Sequence, residues 1–149
     1  MRPERFELPL RVVVENPVPG LVMALQRGAA GKAELVGRVI GSGEVVIFDL
    51  EVAVEGALPD GRPRLLGPYV QGPPAERFVY LCVGLYAGQP DSPWNGRVKV
   101  PIGGITWDLI EALTPGCRLE GRVGGRGRKD GPALATVPIL EPGWRAVRS

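Results

Sequence analysis

The sequence predicts a mainly β protein: an antiparallel β-sandwich or a closed β-barrel of about seven to nine strands, with one short helix at about residues 106–113. Three observations carry that expectation. Apolar and polar side chains alternate with period two in segment after segment. Twenty-two glycines and 16 prolines punctuate the chain. Only one stretch carries both helix-start and helix-stop chemistry.

From the N-terminus, Leu8, Leu10, Val12 and Val14 alternate with Pro9, Arg11, Val13 and Glu15, which is the pattern of a half-buried strand. Leu21 to Gln26 and Leu35 to Ile40 are further strand candidates, bounded by glycine or proline. "GSG" at Gly41 to Gly43 joins the second of them by a hairpin to "VVIFDLEVAV". There Val46, Phe48, Leu50, Val52 and Val54 share one face, and Ile47, Asp49, Glu51 and Ala53 the other. The segment "RFVYLCVGLY" shows no polar face after Arg77, so it is predicted to be a central strand covered on both sides. Val98, Val100 and Ile102 alternate with Arg97, Lys99 and Pro101. Leu119 and Val123 alternate with Arg118, Glu120 and Arg122, and Ala135 to Leu140 is the last candidate.

The helix lies in "ITWDLIEALTPG". Thr106 is its N-cap, Ile105 and Ile110 fall at the two staple positions, Asp108 and Glu111 sit toward the positive end, and Pro115-Gly116 closes it. Isolated helices under about 12 residues rarely persist in water, so the face of Ile105, Leu109, Ile110 and Leu113 must dock on a sheet.

A chain of 149 residues with 44% hydrophobic content suits one domain spanning 1–149. Its apolar runs stop well short of the roughly 18–20 residues that cross a bilayer, and "MRPERFELP" lacks a signal-peptide core. A soluble, cytoplasmic protein without membrane contact is the expectation. Net charge is only +2; residues 97–149 carry nine basic and five acidic side chains, and residues 1–96 nine and eleven. That balance argues against a nucleic-acid partner, which calls for a denser basic stripe.

Several chemistries are excluded by composition. With no histidine, a serine–histidine–acid or cysteine–histidine arrangement cannot be built. Cys82 and Cys117 are too few for a structural zinc site, and buried free thiols are the expected state. No catalytic residue, metal or cofactor is assigned. Asp49 and Glu51 stand roughly 7 Å apart on one strand face, within the range of paired glycosidase carboxylates, yet a solvent-facing stripe is the simpler account. "GGRGRKDG", Gly124 to Gly131, offers Arg126, Arg128 and Lys129 to a phosphate, but Asp130-Gly131 reads as a hairpin turn and no aromatic interleaves the charges.

Candidate ligand-binding residues are Tyr69, Gln71, Arg77, Lys99 and Trp94. The first three lie in or beside "GPYVQGPPAERFVYL", where Gly67-Pro68 and Gly72-Pro73-Pro74 build a rigid loop feeding the apolar strand. An arginine there suits a carboxylate or phosphate, although arginine at a strand start more often pairs with a neighbouring acid. Trp94 sits with Asp91 and Asn95 in a glycine- and proline-rich loop, where an aromatic points to binding.

The blocks "LQRG", "FDLEV", "GPYVQGPPAERFVYL", "GRVKVPIGGITWDLIEAL" and "GPALATVPIL" together resemble an uncharacterised bacterial family known only as a domain of unknown function. The resemblance runs from about Leu10 to Val147 and implies no activity, ligand or catalytic residue. The functional expectation therefore rests on the residues. It is a small non-enzymatic binding domain for a protein partner or small ligand. The alternative is an enzyme or sensor that meets a small anionic metabolite through Arg77, Lys99 and Tyr69. An exposed edge strand leaves room for a homodimer.

Overall fold

A computed structural model describes residues 4–15, 22–28, 32–34, 37–40, 45–84, 96–124 and 135–148. The described chain is mainly β, with eleven strands in two sheets and one short α-helix. In chain order the strands are β1 (Arg5–Glu15), β2 (Val22–Arg27), β3 (Lys32–Glu34), β4 (Gly37–Ile40), β5 (Val45–Ala57), β6 (Pro63–Leu66), β7 (Phe78–Gly84), β8 (Gly96–Pro101), β9 (Cys117–Gly124), β10 (Ala135–Thr136) and β11 (Arg145–Arg148). A 3-10 turn, Pro74–Glu76, precedes β7, and helix α1, Trp107–Glu111, follows β8.

The first sheet runs β11-β9-β1-β5-β4, with β6 also pairing with β5; the second runs β10-β8-β7-β2-β3. The expectation of about seven to nine strands is therefore too low. β3, β6, β10 and β11 span only two to four residues each, too short to display a period. The pairing is not wholly antiparallel either: β1 with β9, and β8 with β10, run parallel. Alternation reports which face a residue takes and is blind to strand direction.

The period-two reading holds where the strands are long. Phe48 and Val52 are fully buried, with Val46, Leu50 and Val54 on the same side of β5. They meet Leu8, Leu10, Val12 and Val14 of β1, paired antiparallel through Leu10↔Leu50 and Val12↔Phe48. Leu119 and Val123 of β9 join them. The second sheet contributes Met23, Leu25, Val79, Leu81 and Val100 to the same cluster, and Ile102, just after β8, joins them. At Gly121 the inward position has no side chain, and the Trp144 ring takes the space: a Cβ there would lie 2.8 Å from it.

β7 is the middle strand of its sheet, as predicted, but its two faces differ. Val79 and Leu81 are buried, while Phe78 and Tyr80 on the other face are half-buried, their rings edge to face with centroids 4.8 Å apart.

Thr106 caps α1 by accepting a hydrogen bond from the Leu109 amide. The helix is only one to two turns long, and Trp107, Leu109, Ile110 and Leu113 hold it against the core beside fully buried Ile105. Neither Cys82 nor Cys117 is in a disulfide; Cys82 is buried, Cys117 half-buried, and the Cys117 sulfur lies 3.3 Å from the Thr114 hydroxyl. No helix among the described residues is long and apolar enough to cross a membrane.

Candidate functional site

The polar face of the first sheet carries a network of ion pairs. Register places Asp49, Arg11, Glu120 and Arg145 in one row across β5, β1, β9 and β11, so signs alternate from strand to strand. Arg11 forks onto Asp49 with bonds of 2.7 and 3.1 Å. Its hydrogen bonds to that carboxylate hold the Arg11 guanidinium above its ordinary pKa, against the opposing effect of burial.

Arg118 reaches Glu51 at 3.4 Å and lies 3.9 Å from Asp49. Arg122 bonds both Glu15 and Glu120, which raises its pKa as well, through Glu15 first. The pair Asp49 and Glu51, considered for hydrolysis, is thus bound by arginines. Asp49 is half-buried and Glu51 exposed, so the polar-stripe reading fits with the addition that the stripe is ion-paired.

The second region lies at the start of β7. Here the loop Gly67–Arg77 feeds the strand through a backbone bridge, Gln71 with Phe78, closed by bonds of 2.8 and 3.1 Å. Gly72 makes the approach possible. Its φ is +91°, and a Cβ would lie 2.5 Å from the Phe78 ring and 2.9 Å from the Glu76 carbonyl.

Arg77 does not pair with an acid among the described residues, contrary to the strand-start expectation. It donates through Nη1 to the Gly72 carbonyl, while its Nε is buried with no acceptor. The Gln71 Nε2 is likewise buried and unpartnered. Buried donors left without acceptors cost about 1–3 kcal/mol each, so this loop is held at some expense.

Pro73, Glu76, Arg77, Phe78, Lys99, Pro101, Gly103, Gly104 and Thr136 surround a groove of about 370 Å³. Strand register explains the convergence. Phe78 opposes Pro101, Tyr80 opposes Lys99, and Lys99 opposes Thr136 on β10. The Lys99 ammonium sits 4.7 Å above the Phe78 ring centroid. Two walls of the groove are tied together by Arg62, which donates to the carbonyls of Gly103 at 3.3 Å and Ala75 at 3.0 Å while Asp60 holds its Nε at 2.8 Å.

Of the five residues expected to bind ligand, Arg77 and Lys99 come together at this groove. Gln71 sits behind it on the bridge to Phe78, Tyr69 packs against the hydrophobic core, and Trp94 lies outside the described residues, as does the basic run Arg126 to Lys129. Sequence reading missed Glu76, Phe78, Pro101 and Arg62, whose roles depend on register and on loop–loop contacts. No cluster of potential metal ligands occurs among the described residues.

The model of a family of unknown function, DUF5990, matches residues 8–147. The chain belongs to that family. The match spans both sheets, the feeding loop and the groove, so in this DUF5990 chain the whole described architecture lies within the family region apart from the first residues of β1 and the last of β11. No curated protein and no solved structure matches it.

Proposed function

We propose that the protein is a small non-enzymatic binding domain whose groove at the start of β7 takes a small anionic molecule. One observation carries this reading: Arg77, from the loop that feeds β7, and Lys99, from β8, line the same concavity, and neither is paired with an acid among the described residues. Arg77 spends one side-chain N–H on Gly72, which leaves most of its five donors for a carboxylate or phosphate. The volume falls at the small end of the roughly 300–1,000 Å³ typical of ligand pockets, which suits a metabolite better than a polymer. In this reading the two sheets stack as a sandwich, supported by the single core cluster that draws side chains from both.

A thermal-shift screen of carboxylated and phosphorylated small molecules tests the proposal. A ligand at about 100 times its Kd adds about 2.7 kcal/mol to the stability, which raises Tm by roughly 5–10 °C for a domain of this size. Lys99→Met should abolish that shift. If no anion stabilises the protein at concentrations well above physiological ones, the proposal fails.

A further inference from the structure

We infer that the groove selects a monocarboxylate with an apolar, ring-sized body over a phosphate dianion. This rests on the reading that the groove binds an anion, and it concerns which anion. The charged side chains lining it are Glu76, Arg77 and Lys99, which leave a net of one positive charge. Glu76 is exposed and makes no ion pair within 4 Å among the described residues, so its carboxylate is not neutralised locally. A singly charged ligand meets Arg77 and Lys99 at the desolvation cost of one charge. A doubly charged one is drawn more strongly by the two cations, but its desolvation cost rises with the square of its charge, and the lining adds Glu76 and no third cation to offset it.

The geometry of the donors points the same way. A guanidinium fork matches the two oxygens of a carboxylate; with its Nε buried and one Nη1 N–H on the Gly72 carbonyl, Arg77 keeps Nη2 and the second Nη1 N–H for an end-on approach. Lys99 adds a point charge held above the Phe78 ring by a cation–π contact. The rest of the lining is largely apolar, with Pro73, Phe78 and Pro101 flanking the two cations. Burying a ligand's apolar body against these three supplies affinity that inorganic phosphate or acetate cannot gain.

Titration of the full chain at about pH 8, where an aryl phosphate is a dianion, separates the outcomes. The probes are benzoate, phenyl phosphate, benzamide and inorganic phosphate. Benzoate should bind, with phenyl phosphate about fivefold weaker, the scale of one like charge met in a solvated site. Benzamide and inorganic phosphate should show no measurable binding.

In Glu76→Gln, an exposed change that leaves the packing intact, the benzoate–phenyl phosphate gap should close. If phenyl phosphate binds as tightly as benzoate or tighter in the wild type, the selectivity inference is overturned while the anion groove stands. A gap that persists in Glu76→Gln overturns it too. If benzamide matches benzoate, or if no probe binds, both the inference and the anion reading are lost.

Discussion

Two arginine-rich regions of this molecule use the same side chain in opposite ways. On the polar face of the first sheet, Arg11, Arg118 and Arg122 each meet a carboxylate, and Glu120, with only 8% of its side chain exposed, lies between Arg122 and Arg145. At the start of β7, Arg77 bonds a backbone carbonyl and keeps a buried Nε unpaired, and Lys99 rests on an aromatic ring. In the first arrangement each of these arginines has a carboxylate within 4 Å, although the buried Arg118 Nε, like that of Arg77, has no hydrogen-bond acceptor. In the second the two cations have no carboxylate partner among the described residues and stand beside a concavity, the arrangement that the proposed anion site calls for.

The comparison breaks most readily at the hinge of the second region. Gly72→Val places a branched side chain where φ is +91° and where even a Cβ would strike the Phe78 ring and the Glu76 carbonyl. We expect a loss of about 3 kcal/mol or more in urea unfolding. The benzoate response should vanish with it, because Phe78 and Arg77 are both set by this loop. Retention of wild-type stability would show that the loop relaxes freely and does not position the groove.

Glu120→Gln tests the first region. Removing this charge leaves Arg122 and Arg145 with less compensation on a half-buried face, at an expected cost of about 2 kcal/mol, below the value for a fully buried pair because both arginines retain solvent. The anion response should be unchanged. A loss of ligand binding with stability intact would join the two regions that the structure separates.

The sequence revealed these regions unequally, for a physical reason. Inward positions of β1, β5, β8 and β9 were readable because burial on one face imposes a period of two on long strands. The ladder's members were visible as polar positions. Their partners were not: Asp49, Arg11 and Glu120 become neighbours only through strand order, and the β1–β9 pairing is parallel. β6 escaped because Pro63 and Leu65 alternate with only Arg64 and Leu66.

At the groove, Arg77 and Lys99 stood out as cations beside an apolar strand. Glu76 and Pro101 did not, since their place depends on the Phe78↔Pro101 register and on a short 3-10 turn. Arg62 gave no signal at all. Its role is to bridge carbonyls of two loops, which no periodicity encodes.

Lys99→Met sharpens the contrast from the other side. The ammonium–ring contact is worth about 0.5–1 kcal/mol at a partly solvated site, and the methionine side chain can cover the same ring. Stability should therefore change by less than about 1 kcal/mol, whereas the thermal shift with carboxylates disappears. A variant that keeps the full shift would remove Lys99 from the site.

The smallest expected effect concerns pH and belongs to the frame of the groove. Asp60 accepts hydrogen bonds from the Arg62 backbone N–H at 3.1 Å and from its side chain at 2.8 Å, and these hold its carboxyl below the ordinary value, the backbone bond foremost. A carboxyl depressed in the folded state contributes stability above its unfolded pKa, about 3.9, and loses it as pH falls through the folded value. Asp60→Asn should thus melt slightly below the wild type at neutral pH, with the two curves converging in acid.

The paired arginines show the opposite sign and cannot mimic this. Arg11 and Arg122 are raised above an already high pKa, so their contribution is fully present across the same range and fades only in strong base. Because Asp60 is exposed, added salt should narrow the gap at neutral pH. A wild-type–variant difference that stays constant from neutral pH into acid would mean that Asp60 acts through shape alone, and that Arg62 ties the groove walls without its help.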